Sequence, residues 1–278
     1  MSVDTQPVFI VSSGRSGTQM CHKLLSTFHE VEAHHEYMCT HVQPLAVLHY
    51  IVTASHDTAV KELTQLHSAA VFYSEADVWI DASNKLSWLI RPLLQLFPSA
   101  KFIHLVRDGR KVASSFFHKL GEEIYDDRSV SILKAYLAEP DKHACPPPEK
   151  KYWWNRPVPG HPLADTFGNF DQFQRICFHW AEVHRVILRD LEQVPAEQQL
   201  TVKLEDLVAC PEQTDKFLRF LGLRCTDYHV ALLQRPHNVH VPQDYSLNER
   251  QREQFWKIAG DMMRRFGYHE TPEYSVAY

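Results

Sequence analysis

The chain has 278 residues, 44% of them hydrophobic, with 29 Lys and Arg against 34 Asp and Glu. These proportions exclude collagenous, coiled-coil and largely disordered chains. A net charge of −5 argues against a surface built wholly to hold nucleic acid or an anionic membrane, while allowing a local basic cleft.

At this length one large α/β domain or two small ones can bury a substantial core. No internal repeat and no sharp change in composition marks a boundary, so a single domain over residues 1–278 is expected. The six cysteines form no C-x-x-C pair, which fits neither a zinc finger nor a disulfide scaffold and points to a reducing compartment. The N-terminus lacks a basic region, and the longest apolar run, residues 45–54, is broken by His49 and is half a bilayer span. A cytoplasmic protein with no membrane span and no nucleic-acid partner is therefore expected.

In chain order, residues 8–11 predict a short buried strand, followed by a glycine-containing turn and a helix from about Gly17. Residues 78–80, 102–106 and 200–204 repeat the apolar pattern, each followed by a turn or helix signal. Brief apolar strands alternating with helical segments predict a parallel sheet with crossover helices. Residues 120–171 differ in kind, carrying Pro-Pro-Pro at 146–148, Trp153-Trp154, Pro157, Pro159 and Pro162. That proline density predicts no long regular element, and the aromatics predict an ordered lid or substrate-facing insertion, its tryptophans more readily core than stacked on a ligand. Phe173, Ile176, Cys177, Trp180, Val183, Ile187, Leu188 and Leu191 recur at helical spacing. A last helix is predicted after Ser246, with Ser246 and Glu249 as a capping box and Phe255, Ala259, Met262, Met263 and Phe266 as its apolar stripe.

The segment Ser13-Gly14-Arg15-Ser16-Gly17-Thr18 holds two of only nine glycines. Glycines between a strand and a helix let backbone N–H groups converge at the positive end of the helix, a geometry that selects an anion. A nucleotide triphosphatase loop needs G-x-x-x-x-G-K-[ST], yet Ser12 stands at the first glycine position and Gly17 runs directly into Thr18 without a lysine. A plain strand-to-helix turn is the alternative. After the strand at 102–106 come Arg107-Asp108-Gly109-Arg110-Lys111 and, two turns into a helix, Ser115. Arg107 stands at the carboxyl end of a parallel strand, where α/β folds bind ligands; a solvated basic turn is the other reading.

Together these two segments resemble the paired signature of sulfotransferases that use 3′-phosphoadenosine 5′-phosphosulfate (PAPS), especially the bacterial and tyrosylprotein types. The sequences Leu204-Glu205-Asp206-Leu207, Phe220-Leu221-Gly222-Leu223 and Phe266-Gly267-Tyr268 are similar to further landmarks of that family. The resemblance covers about residues 8–119 and 173–268. It implies an α/β, P-loop NTPase-like three-layer sandwich with a central parallel sheet. It also implies that Ser13, Gly14, Arg15, Ser16, Gly17, Thr18 and Gln19 hold the phosphosulfate, while Arg107 and Ser115 hold the 3′-phosphate. Relatives close over the nucleotide where His237 and Asn238 stand here. Many carry a tyrosine where this chain has Leu204, which puts any contact by that tyrosine in question.

Sulfuryl transfer needs a base for the acceptor proton and positive charge on the sulfonate and the leaving phosphate oxygen. In Val31-Glu32-Ala33-His34-His35-Glu36-Tyr37 the family's catalytic glutamate falls on Glu36, with His35 or His34 as rivals and a polar loop as the bland reading. Lys85 matches the lysine that in similar enzymes reaches the sulfonate; without the family it reads as a surface lysine. Asp81, ending an apolar strand, imitates a magnesium-binding carboxylate. His34, His35, Cys39 and His41 lack the spacing of a metal site, and no metal is expected. The expected activity is sulfuryl transfer from PAPS to a hydroxyl of a carbohydrate or small-molecule acceptor, releasing adenosine 3′,5′-bisphosphate. A small-molecule P-loop kinase and a catalytically silent nucleotide-binding protein are the alternatives.

Overall fold

The computed structural model describes residues 5–51, 53–234 and 246–271. Five strands form one sheet: β1 (Gln6–Val11), β2 (Val31–His35), β3 (Val78–Ala82), β4 (Lys101–Val106) and β5 (Gln199–Lys203). Their order is β2-β3-β1-β4-β5 and every pairing is parallel. The helices are α1 (Thr18–Leu25), α2 (Cys39–Tyr50), α3 (His56–Phe72), α4 (Ile90–Leu96), α5 (Gly109–Lys119), α6 (Asp127–Ala138), α7 (Gln172–Leu191), α8 (Leu204–Ala209), α9 (Pro211–Phe220), α10 (Asp227–Gln234) and α11 (Glu249–Arg265).

Side chains alternate across a strand, and both faces of this sheet are covered, so its central strands read as mainly apolar runs, broken only by the buried Asp81 and His104. Phe9, Trp79 and Phe102 face one layer with α2, α3, α4 and α7. Val8, Ile10, Ile80, Ile103 and Leu105 face the other, with α1, α8 and α9. The result is the P-loop NTPase-like α/β sandwich. After β1 the chain builds β2 and β3 on one side of it and then crosses to build β4 and β5 on the other, so the carboxyl ends of β1 and β4 flank a topological switch point, where such sheets form their crevice.

A third core joins α5, α7 and α11 through Val112, Trp180, Phe255 and Met263 and continues into the insertion through Trp154 and Phe167. Trp153 and Trp154 are 2% and 8% exposed. Among the described residues no helix is long and apolar enough to cross a membrane.

Two local expectations are corrected, and one strand lies outside the predicted set. The polar-looking stretch 31–35 is β2, an edge strand whose half-buried Val-Glu-Ala-His-His carries no continuous apolar run. The segment 120–171 does contain a regular element: α6, twelve residues capped by Asp126, ends before the first proline, Pro140. The last helix is capped by Asn248 with Gln251 in a full capping box rather than by Ser246 with Glu249.

Gly109 opens α5 where a Cβ would lie 2.7 Å from both Phe255 and Trp180. Gly109→Ala should therefore lower the stability read from urea unfolding by about 1–3 kcal/mol, the usual cost of overpacking. Gly168→Ala, with nothing within 4 Å of the added carbon, should stay within about 0.5 kcal/mol of the parent.

Candidate active site

The loop after β1 is wound by three residues with left-handed backbone: Gly14 (φ 80°), Arg15 (φ 52°) and Gly17 (φ 96°). Successive turns of this kind gather N–H groups into an anion-binding concavity. Both glycines are required by space as well as by φ. A Cβ on Gly14 would lie 2.3 Å from Asn84 Nδ2, and one on Gly17 would lie 2.7 Å from Leu204.

The loop is fastened from behind. Ser87 Oγ accepts from the N–H of Ser12 and donates to its carbonyl, Ser12 Oγ accepts from the N–H of Gly14, and His179 Nε2–H of α7 donates to the Ser13 carbonyl at 2.9 Å. Ser13 and Ser16 share a hydroxyl–hydroxyl bond of 2.9 Å. A loop so anchored keeps its amides in place before any ligand arrives.

The segment after β4 reaches the same loop. Arg107 Nη1 donates to the Arg15 carbonyl at 2.7 Å, and Arg15 Nε donates to Ser115 Oγ at 3.0 Å. Arg15, Arg107 and Ser115 are thus one cluster at the carboxyl ends of adjacent strands. Arg110, by contrast, turns inward: it is 5% exposed, makes a two-pronged pair with Asp108 and bonds Thr271. Glu205 accepts from the Asp108 N–H at 3.1 Å through one oxygen and from the Tyr268 hydroxyl at 2.7 Å through the other.

A second charged cluster lies beyond β2 and β3. Glu36 adopts a left-handed conformation (φ 56°) immediately after β2. Its turn is pinned because Asp81 Oδ1 accepts the Tyr37 N–H at 3.1 Å and the Ala82 carbonyl accepts the Glu36 N–H at 3.3 Å. Burial works to raise the Glu36 carboxyl's pKa, but Lys85 and Lys150 together outweigh it and hold it below the ordinary range. Lys150, from the insertion, forms an ion pair with the Glu36 carboxylate. Burial pushes the Lys85 ammonium down to about 8, with Glu36 opposing the shift, and Lys85 Nζ sits 5.1 Å from the centre of the Trp154 indole.

His35 and His34 leave β2 on opposite faces. His35 Nε2 bonds Thr18 Oγ1 at 3.1 Å, and its pKa is lowered, chiefly by burial. His34 bonds Glu32 and packs on Trp79. Asp81 is fully buried and its pKa is raised to about 7 by that burial; its carboxylate fastens the Glu36 turn rather than facing a cleft. No three His, Cys, Asp or Glu side chains gather as a metal site among the described residues.

Of the residues marked out in the sequence, Ser13 to Thr18, Arg107 and Ser115 come together around one loop, and Glu36, His35 and Lys85 around a neighbouring turn. Gln19 stands exposed in the first turn of α1. His237 and Asn238 lie outside the described residues. Sequence reasoning missed Lys150, His179 and Glu205 as parts of these clusters. Lys150 sits in a segment without a motif, and His179 is one polar residue on an amphipathic helix. Glu205 had a signal, since it belongs to Leu204-Glu205-Asp206-Leu207.

A profile of the sulfotransferase family matches residues 7–139. The omega-hydroxy-beta-dihydromenaquinone-9 sulfotransferases of Mycobacterium bovis and Mycobacterium tuberculosis are each 26% identical over 192 residues, 67% of this chain. The chain spans about 40% of the length of those relatives. Among solved structures, a sulfotransferase from Alicyclobacillus acidocaldarius superposes with a TM-score of 0.50 at 14% identity, covering 95% of both chains. The sulfotransferase STF9 from Mycobacterium avium gives 0.50 at 13% identity, over 96% of this chain and 78% of its own. At such identities the structures speak to the fold.

The buried Lys85 makes a stability prediction. The native ammonium gives up its proton near pH 8, whereas in the unfolded chain it does so near 10.5. The cost of burying the charge is therefore full below pH 8 and fades as pH rises to 10.5. Lys85→Met should raise the melting temperature at pH 7, and the gain should shrink in melts repeated at pH 9 and 10. An unchanged or lowered melting temperature at pH 7 would mean that Lys85 supports the fold.

Proposed function

We propose that this chain, whose residues 7–139 match the sulfotransferase family, transfers the sulfuryl group of PAPS to a hydroxyl of an acceptor molecule. The observation that carries the donor assignment is the bonded cluster of Arg15, Arg107 and Ser115 beside a loop wound to present its amides. Cationic side chains beside a loop of converging amides favour an anion. In this reading the amides of Gly14 to Thr18 hold the 5′-phosphosulfate, and Arg107 with Ser115 holds the 3′-phosphate. Arg15, bonded to Ser115 and carrying the carbonyl that Arg107 grips, ties the two phosphate sites together.

At the acceptor end Glu36 takes the proton from the attacking hydroxyl. As the acceptor oxygen bonds to sulfur, the bond from sulfur to the phosphate oxygen breaks and that oxygen leaves with the electron pair. Lys85 lies next to Glu36 and supplies charge to the sulfonate. Positive charge fixed before reaction is worth more in such a water-poor site than in solution. The depressed pKa of Glu36 keeps it ionised at neutral pH, the state a base requires. His35, neutral at that pH by its own lowered pKa, positions the first turn of α1 through Thr18. The omega-hydroxy acceptor named for the mycobacterial relatives is a small-molecule hydroxyl, which supports the same acceptor chemistry here. The absence of the triphosphatase lysine after Gly17, together with an Asp81 occupied by the Glu36 turn, disfavours the kinase reading.

Adenosine 3′,5′-bisphosphate should raise the melting temperature clearly more than AMP does, because ligands stabilise the state they bind. Arg107→Ala should erase the difference, a loss of about 1.5–3 kcal/mol for a hydrogen bond to a charged group. Equal shifts from the two nucleotides in the parent protein would remove Arg107 and Ser115 from the site.

Glu36→Gln should leave bisphosphate affinity nearly unchanged and lower turnover by about 10²–10⁴. His35→Ala behaving this way while Glu36→Gln retains activity would transfer the role of base to the histidine. Lys150→Met should move the acidic limb of the pH–rate profile to higher pH, since the ammonium that depresses the Glu36 pKa is gone.

A further inference from the structure

Behind the reaction centre, between α6, the insertion and the start of α7, lies a cavity of about 650 Å³. That is the size of a site for a drug-sized molecule. Trp154, Asn155 and Arg175 all line it. Each is at least nine-tenths buried, at 8%, 2% and 8% exposed. Each also carries a buried polar atom without a protein partner: Trp154 Nε1, Asn155 Nδ2 and Arg175 Nε. Unpaired buried donors are costly and rare in native proteins, and three carried by side chains of one wall need an explanation.

All three atoms are donors. A carbohydrate hydroxyl both donates and accepts, so it would leave half of its capacity unused here, whereas an oxyanion only accepts. The charges point the same way. Lys134, Arg156 and Arg175 line the cavity against a single carboxylate, Asp127, which is already paired with Arg175 Nη1 at 2.6 Å. The remaining wall is apolar, with Val130, Leu133 and Phe167.

We infer that this cavity seats the non-reacting part of the acceptor, and that the acceptor is an apolar, ring-sized molecule bearing a carboxylate or another oxyanion. Its role as acceptor rests on the sulfuryl-transfer reading; its binding does not. Trp154 and Asn155 connect the cavity to the chemistry, because both also line a smaller pocket shared with Lys85 and His179. The occupant's oxyanion is held by Arg175 and Asn155, and its hydroxyl end lies toward Lys85 along the indole of Trp154.

The test is calorimetric titration with 2-naphthoate and with the neutral 2-naphthalenemethanol, each on the full chain. Naphthoate should bind saturably and at least tenfold more tightly than the alcohol. Val130→Trp, which fills the cavity from α6, should weaken naphthoate at least tenfold, and Arg175→Met should remove the preference for the carboxylate. Absence of saturable naphthoate binding, equal affinity for the two probes, or undiminished binding by Val130→Trp would each overturn the inference. Arg175 also bonds the Tyr125 carbonyl; should Arg175→Met fail to fold, Val130→Trp and the comparison of probes decide the matter. A bisphosphate melting shift measured on the same preparations separates the two readings. Loss of naphthoate binding with that shift intact sinks only the cavity assignment, and loss of the shift alone sinks only the nucleotide assignment.

Discussion

The hydrogen bond from Arg107 to the carbonyl of Arg15 joins loops 92 residues apart, and the rest of the site is arranged around it. It brings the segment after β4 against the loop after β1 and sets the Arg107 guanidinium on the loop backbone at the switch point of the sheet. Hydrogen bonds from below hold the arrangement: His179 and Ser87 fix the loop, and Glu205 fixes the turn at Asp108. The strands beneath are buried on both faces and cannot shift without opening two cores. The cationic crevice is therefore a property of the sheet's topology, with the loops as its surface expression.

The same logic governs the Glu36 side. A left-handed non-glycine residue is strained, and it persists only where its surroundings over-determine it. Here a fully buried Asp81 and the Ala82 carbonyl hold the turn, while two lysines from distant segments compensate the carboxylate. A buried ammonium at Lys85 works against stability, and groups perturbed in this way cluster at functional sites.

The fold was legible in the sequence where physics leaves periodic marks. Doubly buried strands read as short apolar runs, and α7 repeated its core face every three or four residues. The edge strand β2 escaped because one exposed edge and half-buried faces permit Glu and His, which resemble a loop. The turn after β1 was legible because glycine at positive φ has few substitutes. Lys150 and the His179 bond were not legible, since each depends on where a long segment comes to rest. The wall of the cavity was equally hidden: Trp154 could be read as buried, yet nothing in the linear order shows that its indole nitrogen lacks a partner.

The bridge through Glu205 bears on the order in which the molecule can be completed. Glu205 joins the Asp108 backbone, 97 residues before it, to the Tyr268 hydroxyl, 63 residues after it. A chain emerging from the ribosome presents β1, β3 and β4 well before either partner exists. The turn bearing Arg107 then lacks its carboxylate brace until β5 has paired, and the brace is complete only once the segment after α11 docks. Contacts of such long sequence separation form late and slowly. The nascent chain should thus hold a nearly complete sheet with the turn at Arg107 still unbraced, and that corner of the molecule is finished in the last step of folding rather than the first.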